Sequence, residues 1–169
     1  MVKIYTKNGD EGSTSLLFGA KTSKAEAVFE VLGTLDEFNA FIALCDLQDI
    51  QRDLLQIGGV VANPNAVSKD YLWLNVKVKK FEKQIDLLDS KLPSLKNFIL
   101  AGGTEKSKYL NLARVVCRRL ERVLVSYYFD KKVGREPMLK YFNRLSDLLF
   151  VLSRYDNFMY GIDDVLWKK

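Results

Sequence analysis

The chain has 169 residues, a formal net charge of +5 and no histidine. Its length suits one folded domain, and its apolar fraction of 48% and charged fraction of 28% exclude an intrinsically disordered protein. The lack of histidine excludes a Ser-His-Asp triad, a histidine general base and histidine ligation of a metal, while the positive charge favours an anionic partner.

We expect a single domain over residues 1–169, with a non-periodic segment at 1–24 and a helical bundle at 25–158. Cys45 and Cys117 both lie in apolar helical patterns, so we interpret them as reduced core residues. No secretion signal or membrane-spanning run is visible at the sequence level. These features predict a cytoplasmic protein.

The opening stretch IYTKNGDEGSTSLLFG (4–19) follows neither a strand nor a helix period. Gly9 and Gly12 allow positive φ and a close approach of backbone N–H groups to an anion, although the stretch is not a Walker A motif. It is either a tail or a phosphate-binding loop. Its side chains supply hydroxyl groups and positive charge: Thr6, Lys7, Ser13, Thr14, Ser15, Lys21 and Lys24.

Apolar residues at spacings of three and four predict five amphipathic helices, over about 24–47, 48–63, 71–91, 105–129 and 136–158. The second and third patterns include Leu55 and Val76. Lys77, Lys79, Lys80 and Lys83 on the third helix are typical of a solvated face. The strand-like stretch NFILAGG precedes Thr104, which suits an N-cap. Helices joined by short loops predict an all-α, five-helix bundle.

The fourth helix carries a charged stripe beside its apolar stripe. Arg114, Arg118, Glu121 and Arg122 recur at i, i+4, i+7 and i+8, with Arg119 at the edge of the same face. Guanidinium groups favour bidentate contacts with phosphate or carboxylate. The alternative is an exposed face on which Glu121 pairs with Arg118 and Arg122.

Two other helices carry polar residues among apolar ones. Asn143 and Asp147 share a face of the fifth helix, and Asn143 is flanked by core positions. A buried amide needs a partner, so Asn143 either braces a neighbouring helix or contacts a ligand. Asp36 and Glu37 occupy the apolar first helix within GTLDEFNA.

In order and spacing, KIYTKNGDEGSTSLLFG, GTLDEFNA, FILAGGTEKS, ARVVCRRLER and YFNRLSDLLFVLSR resemble the ATP:cob(I)alamin adenosyltransferases of the propanediol-utilisation type. The resemblance covers residues 3–156. Ala101 and Asn111 stand where this family often has proline and histidine. The resemblance implies a ferritin-like five-helix bundle that assembles as a homotrimer, with each active site between two subunits.

The resemblance also implies the activity, transfer of the 5′-deoxyadenosyl group of ATP to the Co(I) centre of a reduced corrinoid. Mg²⁺ would accompany ATP without side-chain ligands, and a reductase would supply electrons. Phe98 would lie beneath the corrin ring, and Asp36 and Arg114 would pair across the subunit interface. The implied ATP contacts are Thr6, Lys7, Asn8, Gly9, Thr14, Ser15 and Lys24 of one subunit and Arg118, Arg119, Glu121, Arg122 and Asn143 of its neighbour.

Two other functions fit the composition. One is a non-catalytic basic bundle that binds nucleotide or nucleic acid, and the other is a purely structural oligomer. Neither accounts for five motifs in the same order. We therefore expect neither nucleic acid nor a membrane as a partner.

Overall fold

The computed structural model describes residues 3–5, 7–19 and 21–168. Within these ranges it confirms the all-α bundle, with an antiparallel hairpin inside the segment that was predicted to be irregular. None of the helices there is long and apolar enough to span a bilayer. The elements are β1 (Ser13–Ser15), β2 (Lys21–Ser23), α1 (Ala27–Ala43), α2 (Gln48–Val61), α3 (Leu72–Asp89), α4 (Glu105–Tyr127) and α5 (Arg135–Met159).

Helix α4 lies against both α1 and α5, while α3 packs on α5 and α2 packs on α1. The buried stripe of α4 continues into α1 and α5, where the rings of Phe38 and Phe142 meet edge to face at 6.3 Å. Leu55 and Val76 were expected in the core but are exposed, because the stripes of α2 and α3 face the other way. The buried residues of α4 are Ser107, Leu110, Ala113, Val116, Cys117, Leu120 and Leu124.

A buried carboxylate joins three helices. Asp53 of α2 accepts a hydrogen bond from the Lys77 ammonium of α3 at 2.7 Å and another from the Tyr141 hydroxyl of α5 at 3.1 Å. Burial, reinforced by the Asp53 charge, raises the pKa of Tyr141 well above its usual value. The prediction of a solvated face is therefore wrong for Lys77, because its ammonium compensates the desolvated charge of Asp53.

The connection into α4 is fixed from the far end of α5. Thr104 is the N-cap, as predicted, and its hydroxyl accepts from the Ser107 N–H at 2.9 Å. The buried Asn157 carboxamide accepts from the Thr104 N–H and donates to the Gly102 carbonyl, both at 3.0 Å. Between them Gly103 has a φ of 97°. A side chain at Gly103 would force this turn or Asn157 to shift, because a Cβ there would collide with the Asn157 carboxamide.

We expect Gly103→Ala to lower the free energy of unfolding by about 2–4 kcal/mol, since it combines left-handed strain with the loss of buried hydrogen bonds. Gly102→Ala is the matched control, because a Cβ at that position meets nothing within 4 Å. Chemical denaturation of both variants measures the difference. Equal stabilities would show that the turn relaxes freely around the new side chain.

Candidate functional site

The N-terminal loop is closed by Lys24. The Lys24 ammonium donates to the Gly9 carbonyl at 2.9 Å, and the Lys24 N–H donates to the Gly12 carbonyl at 2.9 Å. Positive φ is confirmed at Gly12 (74°) but not at Gly9, and among the described residues of the stretch 4–19 Lys7 (61°) and Phe18 (57°) are also left-handed. At Gly9 a Cβ would stand 2.8 Å from the Lys24 nitrogen, so a larger residue would displace the Lys24 ammonium from its contact with the Gly9 carbonyl. The result is a compact turn in which lysine charge lies beside backbone amides.

The hydroxyl groups of the loop lie on both faces of the hairpin. Thr14 pairs with Thr22 at the centre of the hairpin. Because neighbouring residues of a strand point to opposite faces, the Thr14 side chain lies on one face and the side chains of Ser13 and Ser15 lie on the other. The Ser13 hydroxyl oxygen is buried and has no hydrogen-bond partner among the described atoms. Thr6 lies outside the described residues.

Two arginines of α4 are exposed and uncompensated. In the described part of the chain, no carboxylate lies within ion-pair distance of Arg118 or Arg122. Among the described residues, the hydrogen bond of the Arg122 guanidinium goes to the Arg118 carbonyl, at 3.1 Å. Glu121 instead accepts from the Asn143 amide at 3.3 Å. The alternative of a Glu121 network that neutralises these arginines is not observed, so the surface favours an anionic ligand.

Two neighbours of this stripe depart from the sequence-based expectation. Asn143 is exposed rather than buried, since the core positions beside it point to the other side of α5. It braces Glu121 on α4 and leaves its amide oxygen for another contact. Arg119 forms an ion pair with Glu37 of α1, which holds α1 and α4 together on the outer surface. Arg119 is thus engaged within its own chain.

Arg114 is a half-buried cation one turn nearer the start of α4. Its guanidinium lies 6.0 Å from the centre of the Phe150 ring, and its Nε donates to the Asn111 amide oxygen at 3.3 Å. Burial, with the nearby Arg118 charge adding, lowers the pKa of Arg114. No carboxylate within the described ranges pairs with it. Asp36 is exposed on α1, so the two predicted partners do not meet within one chain.

Phe98 is 83% exposed at the edge of an apolar surface. Its stretch is held by the C-terminal segment (163–168), because the Trp167 N–H donates to the Phe98 carbonyl and the Leu100 N–H donates to the Val165 carbonyl, each at 2.8 Å. A cavity of about 290 Å³ opens behind this pairing, between the ends of α4 and α5. The exposed Leu100, Leu166 and Trp167 extend the surface, which suits a large flat apolar ligand.

The sequence analysis did not predict that the C-terminal segment pairs with the stretch that carries Phe98. The strand-like character of FILA was recognised, and Ile99 does form an isolated antiparallel bridge, but its partner Leu166 lies beyond α5. The available signal was the apolar stretch VLW after Gly161 and two aspartates, which has no helical period. A short run of this kind does not reveal where it pairs.

The two cysteine thiols are not activated as nucleophiles. Burial raises the pKa of the Cys45 thiol to about 11 and that of Cys117 well above its usual value. Both side chains are therefore protonated core thiols at neutral pH, as predicted. The described residues contain no cluster of three carboxylate or thiol side chains that could hold a metal ion. The arrangement offers cations, amides and an apolar surface for positioning rather than for covalent catalysis.

Comparison with known proteins agrees with this chemistry. Residues 4–156 match the cobalamin adenosyltransferase family. The corrinoid adenosyltransferase of Bacillus subtilis (strain 168) is 36% identical, with 99% of this chain and 93% of that protein aligned. The Homo sapiens corrinoid adenosyltransferase is 34% identical, over 99% of this chain and 74% of the human protein.

The fold agrees as well. A solved variant of the PduO-type ATP:corrinoid adenosyltransferase from Lactobacillus reuteri, complexed with cobalamin and ATP, superposes with a TM-score of 0.85. That alignment has 28% sequence identity and covers 99% of this chain and 100% of the other. The resemblance noted from the five motifs is thereby confirmed, and the chain belongs to the cobalamin adenosyltransferase family.

Proposed function

We propose that this protein transfers the 5′-deoxyadenosyl group of ATP to the Co(I) centre of a reduced corrinoid, giving adenosylcobalamin and triphosphate. The Co(I) electron pair forms the new bond to C5′, and the C5′–O bond breaks with its electrons on the triphosphate. The observation that carries the proposal is the pair of exposed arginines, Arg118 and Arg122, beside the Glu121–Asn143 contact. Neither arginine has a carboxylate partner among the residues that the structure describes.

A chain without histidine suits this reaction, because the nucleophile belongs to the corrinoid substrate. The protein must align C5′ for in-line attack and neutralise a highly charged leaving group. Arg118 and Arg122 would contact the triphosphate together with Arg119, Glu121 and Asn143. Mg²⁺ would enter on the ATP phosphates and keep most of its water ligands.

The other half of the ATP site would be the N-terminal loop of a neighbouring subunit. Lys7, Asn8, Gly9, Thr14, Ser15 and Lys24 would surround the nucleotide, with Thr6 implied by the family motif. A homotrimer is supported by the outer face of α4, where the apolar side chains of Leu112 and Val115 are exposed. It is also supported by Arg114, a half-buried cation that Asp36 of another subunit would compensate.

Phe98 would act on the corrinoid and not on the nucleotide. Its ring has no atom that can ligate cobalt, and placed beneath the corrin it would occupy the space of a lower axial ligand and exclude water. Co(II) without that ligand is easier to reduce by the electron-donating reductase on which the reaction depends. The free thiols of Cys45 and Cys117 favour a reducing compartment, so the protein would act in the cytoplasm. Residues 1–169 would form one domain.

The direct test mixes the protein, MgATP and chemically reduced cobalamin under anaerobic conditions and follows the absorption spectrum. We expect light-sensitive adenosylcobalamin to form, together with one triphosphate for each corrinoid consumed. Reactions lacking ATP or protein are the controls. If the protein binds MgATP but yields no adenosylated product from Co(I), the proposed reaction is wrong.

Arg118→Lys should lower turnover at least tenfold, or about 1.4 kcal/mol of transition-state stabilisation, although it preserves the charge. The reason is that an ammonium group cannot reproduce the two-pronged contact of a guanidinium with phosphate. Arg52→Lys is the control, since Arg52 is an exposed arginine of α2 that pairs locally with Asp49. Steady-state kinetics with MgATP measure both, and near wild-type turnover for Arg118→Lys would move the triphosphate contact elsewhere.

Phe98→Ala should leave MgATP binding within about twofold of wild type and slow the reaction from Co(II) more than the reaction from pre-reduced Co(I). Calorimetry and parallel assays from the two cobalt states separate these effects. Phe129→Ala, which removes another exposed ring just beyond the C-terminal end of α4, should change neither. Equal slowing from both cobalt states would count against a role beneath the corrin.

A further inference from the structure

Arg154 is a buried arginine that the proposed chemistry does not use. It lies in the last two turns of α5 and is only 4% exposed. Its Nε and Nη2 lie 2.9 and 2.8 Å from one carboxylate oxygen of Asp164, and Nη2 also donates to the Pro93 carbonyl at 2.8 Å. Asp89, at the end of α3, is 3.7 Å from Nη1. One guanidinium therefore joins α3, α5 and two loop segments.

These contacts bracket the stretch that carries Phe98. Pro93 lies just before the stretch, and Asp164 immediately precedes Val165, whose carbonyl accepts from the Leu100 N–H. Trp167, two residues further on, donates to the Phe98 carbonyl. Fixing Asp164 thus sets the register in which the C-terminal segment pairs with residues 98–100.

The side chain of Phe98 cannot position itself by packing, since most of its surface is exposed. Its position follows from the backbone, which is paired on one side with the C-terminal segment and anchored at Gly102 by Asn157. The C-terminal segment is itself largely exposed, and its buried anchor is the charge-assisted contact of Asp164 with Arg154.

We infer that the Arg154–Asp164 ion pair is a positioning device for Phe98. It holds the C-terminal segment in register, and that segment holds the Phe98 ring at the height where it meets the lower face of the corrinoid. The inference rests on the proposed function for the corrinoid step alone. The structural link from the ion pair to the backbone of residues 98–100 is present in the substrate-free protein. It can therefore be tested independently of the proposed function.

The first test compares Asp164→Ala with Asp163→Ala, which removes the same charge from the neighbouring exposed residue. Hydrogen–deuterium exchange in the substrate-free protein is read by NMR at the amides of Leu100 and Trp167. We expect exchange to accelerate roughly tenfold or more in Asp164→Ala alone, with the α4 amides unchanged. If the folded Asp164→Ala variant protects both amides as wild type does, the ion pair does not hold the segment.

A second pair of variants leaves the ion pair intact. Trp167→Pro removes the N–H that donates to the Phe98 carbonyl, whereas Trp167→Ala removes the same ring and keeps the donor. Only the proline variant should accelerate exchange at Leu100. Because neither change touches a buried charge, this pair tests the link from the C-terminal segment to residues 98–100 even if Asp164→Ala fails to fold. Unchanged exchange at Leu100 in Trp167→Pro would overturn the positioning role.

The catalytic step is tested on the same variants with MgATP and cobalamin. Asp164→Ala and Trp167→Pro should slow the reaction from Co(II) about fivefold or more and reduce the Co(II) electron paramagnetic resonance signal that marks loss of the lower ligand. MgATP affinity and the rate from Co(I) should stay within about twofold of the controls. Faster exchange without a slower Co(II) reaction would overturn the positioning role. A wild-type protein inactive from Co(I) would instead overturn the proposed function and leave the exchange result standing.

Discussion

The packing of α4 between α1 and α5 is the constraint on which the proposed site depends. The side of α4 that packs between its two neighbours fixes the rotation of the helix about its axis. Its buried residues include Leu110, Cys117, Leu120 and Leu124. With that rotation fixed, Arg118 and Arg122 point outward in one line. A rotation of α4 by one residue, about 100°, would bury guanidinium groups without partners, which is strongly unfavourable. Burial of the apolar stripe keeps α4 from rotating in this way. The hydrophobic pattern therefore also orients the charged stripe.

The proposed reaction uses two surfaces of different polarity, one for the nucleotide and one for the corrinoid, and the fold places them in different parts of the bundle. The arginines, Glu121 and Asn143 form a polar surface along the sides of α4 and α5. The surface around Phe98 is apolar and lies at the end of the bundle, where Gly102, Gly103 and the C-terminal segment converge. In the proposed reaction, a charged nucleotide and a large flat ring would each meet a matching environment, and the reacting atoms would lie between these two surfaces.

Features that depend on local periodicity or local capping could be predicted from the sequence. The five helices, the Thr104 N-cap, the buried cysteines and the arginine stripe all arise from spacings within about eight residues. The exposure of Asn143 was not predictable in this way, because a polar residue flanked by core positions lies on either side of a helix depending on small differences in rotation.

Long-range pairing accounts for the rest of what was missed. The contacts of Lys77 with Asp53, of Arg119 with Glu37 and of Asp164 with Arg154 each join separate elements, and no spacing within one helix signals them. The hairpin of Ser13–Ser15 with Lys21–Ser23 lacks the alternating apolar pattern of a strand, since its residues are nearly all hydroxylic or charged. Such features depend on the assembled tertiary structure rather than on any one segment.

We propose that one complete site takes its loop from one subunit and its arginines from the next. Trimers that contain both Lys24→Ala and Arg118→Ala subunits, purified through two different tags, test this arrangement. In a ring of three, every such mixed trimer has one intact site out of three, whatever its composition, so about one third of wild-type activity should return. If both parent trimers are inactive and the mixed trimers are inactive as well, the loop and the arginines act within one subunit and the account is contradicted.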